Sequence, residues 1–526
     1  MIKNIKLLLL VSLTFVACNN DDETVVVSNS TDGAPLTSGT ADFSKYVALG
    51  NSLTAGFSDG ALFIEGQKGS YTNILAQQFS QVGGGEFKIP FMADNVGGLL
   101  FGGAPNPSFG RRLFFDGCGP VSVTGSSTTE TFASNTGGLY NNMGIPGARS
   151  FHLIFNGYGN PAGLGAVPAT ANPYFVRIAS NPNKSVLEDA MAQSPTFFSL
   201  WIGNNDVLGY ALAGGDSALD AITPTTTFDF AYTTLVNTLT SNGAKGVIAN
   251  IPYVTSIPQF TTISVKPVNP NSYFKDADET NCSVTYPISA GDIATINTIN
   301  SSLMSALSSI LPDRFSLLST TANNPLIIQD ESLEDKGATI VFAATNSGNP
   351  TLVALANYLG ATYGKARQSK TGDLIPLTTR GVIGTQNTNL PAPILQAGLG
   401  AYGITFPLPD RHVLVPSEIS ELKTATDAYN STIKSLADSK GLAFVDANSV
   451  LNEVATKGVS ANGFTLRSTY VTGGAFSLDG VHPSPRGYAL IANEFLKSIN
   501  AKYGSNLKGV DLGNYRILYP ANPLAF

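Results

Sequence analysis

The 526 residues are enough for two to four domain-sized units, and 43% of them are hydrophobic, which supplies ample core. A formal net charge of −7, with no basic cluster along the chain, argues against a nucleic-acid-binding surface. Charged residues are only 13%, about half the usual share, while 53 Gly and 30 Pro predict many loops.

The chain opens like a secretory leader. Lys3 and Lys6 precede an apolar run, Leu7 to Val16, too short to span a membrane. Phe15-Val16-Ala17-Cys18 has the form of a bacterial lipobox, so residues 1–17 are expected to be a lipoprotein signal peptide and Cys18 the lipidated N-terminus. The acidic run 19–23 resembles a surface-export tag; a solvated spacer is the plainer reading. Residues 18–42 are polar and read as a flexible tether. The chain is therefore expected at the cell envelope as an outer-membrane lipoprotein and, with no later run of 18 or more apolar residues, attached to the membrane by lipid only. Cys118 and Cys282 can pair in such a compartment, but their spacing neither requires it nor suits a metal.

Tyr46 to Leu49 is a short apolar run that stops at Gly50, which predicts a buried strand with Ser52 just past its carboxyl end. Tyr71 to Phe79 has helical spacing with Ser70 as cap. Residues 83–138 are Gly-rich and read as elaborated loop. A second strand is expected near Leu139–Met143, running into the Gly144-Ile145-Pro146-Gly147 turn. A helix follows at 185–193, then the clearest strand, Thr196 to Ile202, ending on Gly203-Asn204-Asn205-Asp206. A helix over 227–241 and a strand over 246–251 complete this half. Residues 253–416 break the rhythm and read as an inserted cap or subdomain with a helix at 291–310. The rhythm returns with a helix over 416–439, a strand over 442–446 and a last helix over 485–499.

A nucleophilic serine needs a base, and the chain has three histidines: His152, His412 and His482. His482 stands three residues after Asp479, in a turn that enters a helix. A carboxylate so placed can hold one imidazole nitrogen and leave the other free to take a proton. The bland reading of Asp-x-x-His is a helix-entry hydrogen bond. Two other serines sit in motif-like settings. Gly56-Phe57-Ser58-Asp59-Gly60 fits a nucleophile elbow but does not follow a strand. Gly215-Asp216-Ser217-Ala218-Leu219 follows a helical stretch. Asp276 to Glu279 lacks the spaced ligands and glycine of a cation loop.

Taken together, Gly50-Asn51-Ser52-Leu53, Gly147, Gly203-Asn204-Asn205-Asp206 and Asp479-Gly480-Val481-His482 resemble the four blocks of the SGNH (GDSL) hydrolase superfamily, in the family's order. Asn51 departs from the family's usual Asp. The resemblance covers about 43–253 and 416–503. It implies a hydrolase domain of 43–252 plus 417–526, a three-layer α/β/α sandwich with a mainly parallel five-stranded sheet, and no metal or cofactor. It also implies Ser52, Asp479 and His482 as a catalytic triad. The oxyanion hole would be the Ser52 and Gly147 N–H groups and the Asn205 amide. The apolar insertion, with Leu352, Leu355, Tyr358, Leu359, Tyr402 and Phe406, suggests walls for an acyl chain and hence a lipase or acylhydrolase; the alternative is that these residues fill the insertion's own core. Two other readings stand beside it: a carbohydrate O-acetyl esterase, and a surface-anchored binding protein with a silent site.

Overall fold

The computed structural model describes residues 33–132, 138–268, 290–522 and 524. The expected leader 1–17, Cys18, the acidic run 19–23, Cys282 and the stretch 276–279 lie outside the described residues; Cys118 is disulfide-bonded.

The central sheet has five strands: β1 (Tyr46–Gly50), β2 (Asn142–Gly144), β3 (Phe197–Trp201), β4 (Lys245–Ala249) and β5 (Ala443–Val445). Every neighbouring pair is parallel, in the order β2-β1-β3-β4-β5. The helices that matter are α1 (Ser52–Ala55), α2 (Tyr71–Ser80), α3 (Val186–Met191), α4 (Asn205–Leu212) and α5 (Thr225–Thr240). They continue with α6 (Ala290–Ile310), α7 (Gly337–Thr345), α8 (Pro350–Tyr363), α9 (Pro416–Lys440), α10 (Ala447–Thr456) and α11 (Pro485–Tyr503).

Strand alternation builds the layers. All five residues of β1 and of β3 are buried. Val47, Leu49, Phe198 and Leu200 point to one face, where α5 and α9 bring Tyr232, Leu235, Tyr429 and Ile433. Tyr46, Ala48, Phe197 and Trp201 point to the other, covered by Tyr71, Ile74 and Phe79 of α2 and Phe495, Leu496 and Ile499 of α11. Each such buried side chain contributes roughly 1.5–3 kcal/mol, which is why strands without charge or strict alternation form here. The polar Ser199 in β3 is bonded to Tyr46 Oη at 2.7 Å.

Chain order puts β2 on one side of β1 and β3 on the other. The crevice at the carboxyl ends of β1 and β3 is therefore the switch point where open α/β sheets bind ligands. Ser52 follows β1 and Asn205 follows β3, so topology alone brings them to one place.

The structure differs from the sequence reading in three places. Residues 35–41, read as tether, are tied to the end of α11: Thr37 N–H donates to Asn506 Oδ1 at 2.7 Å, and Thr40 N–H donates to the Tyr503 carbonyl at 2.8 Å. Residues 83–132 are more ordered than loop. They contain two small hairpins, Leu100–Phe101 with Ala104–Pro105 and Leu113–Phe115 with Pro120–Ser122. The buried Arg112 holds them by donating to the carbonyls of Asn95 (2.8 Å) and Pro520 (2.7 Å). Third, the residues offered as acyl-chain walls follow the alternative reading and fill the insertion's own core. Leu352, Leu355, Tyr358 and Leu359 pack against α6 and α7, and Tyr402 packs in a second cluster around Leu326, Ile328 and Leu408 with the Phe406 ring edge-on 5.4 Å away. Helical periodicity on α8 matches α7, so its apolar face is consumed there. Among the described residues no helix is long and apolar enough to cross a membrane.

Candidate active site

Three features of β1 and its exit set the serine. At Gly50 a Cβ would lie 2.1 Å from Thr54 Oγ1 and 2.4 Å from the Trp201 carbonyl, so only glycine lets α1 fold straight back onto the strand. Asn51 caps α1, its Oδ1 accepting from Leu53 N–H at 3.0 Å. Asn51 also donates through Nδ2 to Asn204 Oδ1 at 3.5 Å, a long bond that links the β1 and β3 exits. Ser52 is the first residue of α1, so its N–H has no acceptor within the helix.

The other end of the chain meets it. His482 Nε2 lies 2.8 Å from Ser52 Oγ, and His482 Nδ1 lies 2.8 Å from Asp479 Oδ2. Asp479 Oδ1 accepts from the N–H groups of His482 (2.8 Å) and Val481 (2.9 Å) and from Ser477 Oγ (3.0 Å). Burial pushes the Asp479 carboxyl up, but the adjacent imidazole and these donors outweigh it and bring it to about 2. The turn is anchored from behind by α11: Ser484 caps it through Gly487 N–H at 3.0 Å, and Pro485 occupies its first position.

The elbow-like run 56–60 is not a second nucleophile. It is the cradle of this turn. Gly60 N–H donates to Asp479 Oδ2 at 2.9 Å, and Ser58 Oγ donates to the Pro483 carbonyl at 3.1 Å. The Phe57 ring lies 4.6 Å from the imidazole, and Tyr488 Oη fixes the Phe57 carbonyl at 2.7 Å. The insertion braces the turn as well: Gln259 N–H donates to the Gly480 carbonyl at 2.8 Å. The sequence carried no sign of this use, because the partners are some 420 residues apart along the chain.

Asp59 lies behind the turn, 1% exposed and at φ 51°. Its Oδ1 accepts from Leu478 N–H at 2.8 Å, while Oδ2 has no partner. Burial pushes its carboxyl up to about 7; the Leu478 bond and Arg112 oppose this, and Asp479 adds to it. A carboxyl that stays protonated in the fold but ionises in the unfolded chain removes stability as pH climbs from about 4 to about 7, with no further loss above that. Asp59→Asn is therefore expected to be more stable than the parent at pH 8, by up to about 4 kcal/mol, and equal to it near pH 4. Urea unfolding across this range checks it; an unchanged pH slope in the variant refutes it.

Two of the three oxyanion candidates, Asn205 and Gly147, meet at Ala148. Asn205 Nδ2 uses one of its two hydrogens on the Ala148 carbonyl at 2.8 Å. Gly147, immediately before, has φ 81°, a conformation that favours glycine, and its N–H makes no hydrogen bond among the described residues. Asp206, overlooked as a working residue, fastens this loop: its carboxylate accepts from Ser150 N–H (2.9 Å) and Ser150 Oγ (2.7 Å). Burial first, against those bonds, raises it to about 6. The two other histidines stand apart. His152 stacks on Tyr158 at 4.5 Å and accepts from Arg149 N–H, and His412 contacts Thr379. Burial, then a neighbouring arginine, lowers each to about 4.

Ser52, Asn205 and His482 open on a cleft of about 940 Å³, counting the solvent at its mouth. Its walls are aliphatic and aromatic: Leu208, Val254, Ile257, Leu451, Ile491 and Phe495 are representative. Helices α10 and α11 are the largest contributors, joined by the start of the insertion. Helix α10 escaped the sequence reading, although Asp446 caps it by accepting from Ser449 N–H at 3.1 Å, an Asp-x-x-Ser signal in front of Val450, Leu451 and Val454. No family model, no curated protein and no solved structure matches the chain.

Proposed function

We propose that this chain is a serine ester hydrolase of the SGNH (GDSL) type that acts through an acyl-enzyme on lipid-like esters at the cell envelope. The observation that carries the reading is the unbroken line Asp479–His482–Ser52, with bonds of 2.8 Å at each step, opening on an apolar cleft. The five-stranded parallel sheet in the order 2-1-3-4-5, with the serine at its switch point, supports the same family.

In this mechanism Ser52 Oγ attacks the ester carbonyl while His482 Nε2 takes the hydroxyl proton. Asp479 holds the Nδ1–H tautomer and stabilises the imidazolium. The tetrahedral oxyanion is met by the N–H groups of Ser52 and Gly147 and by the second Asn205 amide hydrogen; one such donor is worth roughly 3–4 kcal/mol. On collapse the C–O bond breaks and His482 returns the proton to the leaving alcohol. Water, deprotonated by His482, then cleaves the acyl-enzyme. The chemistry needs no metal or cofactor. The Cys18 lipobox would hold the enzyme at the outer membrane, where lipid esters are near.

The cleft supports an acyl substrate because its walls beside Ser52 are apolar. Each methylene buried there contributes about 0.8 kcal/mol, about fourfold in kcat/KM. A series of nitrophenyl esters of increasing acyl length is expected to climb at about that rate until the cleft is full. A preference for acetyl, especially on glycans, would favour the O-acetyl esterase. No labelling of folded protein by a fluorophosphonate would favour the binding protein.

A further inference from the structure

A second chemical site lies where the insertion rejoins the core. Glu331 follows the strand Ile327–Gln329, and Asp410 follows Leu408, which is paired to that strand through Gln329 N–H to the Leu408 carbonyl at 2.9 Å. Glu418 sits in the first turn of α9. The three carboxylates bring oxygen atoms within 4.8 Å of one another. Two oxygens bound to one ion at 2.3–2.6 Å can be no more than about 5 Å apart, so this spacing is compatible with a shared calcium-sized ion.

Glu418 is the decisive member. It is only 3% exposed. Its Oε2 accepts from Val415 N–H at 2.7 Å, an ordinary helix-capping bond. Its Oε1 has no partner, and neither has Oδ1 of Asp410. Among the described residues no basic side chain pairs with Glu331, Asp410 or Glu418. A buried carboxylate oxygen left without donor or counter-charge is costly, and like charges beside it add to the cost. Burial first, and then Glu331, push the carboxyl groups of Asp410 and Glu418 up. The chain also makes room. At Gly215, in the GDSL-like run that is not a nucleophile, a Cβ would lie 2.2 Å from Glu418 Cδ, and at Gly214 it would lie 2.3 Å from the Asp410 carbonyl.

We propose that Glu331, Asp410 and Glu418 bind a hard divalent cation of the calcium class, with water completing the shell, and that the ion clamps the paired segments carrying Glu331 and Asp410 to α9. The donor set is all carboxylate oxygen, which selects hard cations over zinc or copper. The clamp lies outside the Ser52 machinery, so it stands or falls independently of the esterase.

The test uses full-length protein stripped with a chelator, its thermal midpoint followed against CaCl2 at matched ionic strength. The expected result is a rise of about 3 °C or more by about 5 mM calcium. That rise is lost in Asp410→Asn and in Glu331→Gln. These two positions are half-buried and exposed, so they carry the test if Glu418→Gln does not fold. Terbium gives a second reading: emission sensitised by tyrosine, with Tyr210 bonded to Glu421 nearby, should appear in the parent, be displaced by calcium and be weak in both variants. A parent that shows no calcium-dependent rise, or variants that rise as much as the parent, would overturn the site and leave three carboxyl groups sharing protons.

Discussion

Ser52→Ala is expected to lower kcat for ester hydrolysis by about 10⁴–10⁶-fold while leaving the fold intact. The substitution removes one oxygen. The α1 cap survives because Asn51 supplies it, and the Ser52 N–H remains for the oxyanion. What is lost is the bond to His482, and with it the nucleophile. The stability cost should be about 0.5–1.5 kcal/mol, the usual worth of one hydrogen bond. Initial rates on a short nitrophenyl ester, together with fluorophosphonate labelling, measure the effect. Retained activity above about 1% of the parent, with labelling at another serine, would remove Ser52 from the mechanism; Ser58 and Ser217 are the residues to look at then. The structure argues against both, since Ser58 Oγ is spent on the Pro483 carbonyl and Ser217 lies on the loop beside the carboxylate cluster.

Asp479→Asn is the second large effect, about 10⁴-fold in kcat with KM little changed. Asp479 Oδ2 accepts at once from Gly60 N–H and from the imidazole, and Oδ1 accepts three more donors. An amide has one accepting oxygen, so its NH₂ must face donors on one side or the other. The arrangement of least conflict turns the imidazole to the tautomer with the proton on Nε2, which cannot take one from Ser52. The same variant reports on stability. A carboxyl at about 2 in the fold and about 3.9 unfolded contributes about 2–3 kcal/mol, present above pH 4 and lost as pH falls through 2. The parent should therefore weaken steeply between pH 4 and pH 2. The variant, already without this contribution, should show a shallower fall. Wild-type kcat in folded Asp479→Asn would mean that the carboxylate serves the turn and not the histidine.

Much of this was legible in the linear chain. The strands of the sheet and helices α2, α5, α9 and α11 follow from apolar spacing, capping residues and glycine stops, all of which act within a few residues. The four short blocks sit at strand ends and at the entry to α11, where such residues can be exposed to a ligand. Ordering them along the chain is enough to suggest one crevice, since parallel β-α units leave few arrangements.

What the chain could not disclose were the relations between residues far apart in it. Run 56–60 looks like a motif of its own; folding places it under the Asp479 turn, where its N–H and hydroxyl groups are used as support. Gly215 looks like half of a GDSL block, yet its missing side chain serves Glu418. The apolar residues of α8 were indistinguishable from pocket walls until α7 covered them, while α10 and α11 supplied the walls that face Ser52. Composition and periodicity determined which residues must be buried, and short motifs marked Ser52, Asp479 and His482 as candidates. Only the tertiary structure decided which buried surface meets which, because apolar burial is non-directional and its partners are chosen by packing.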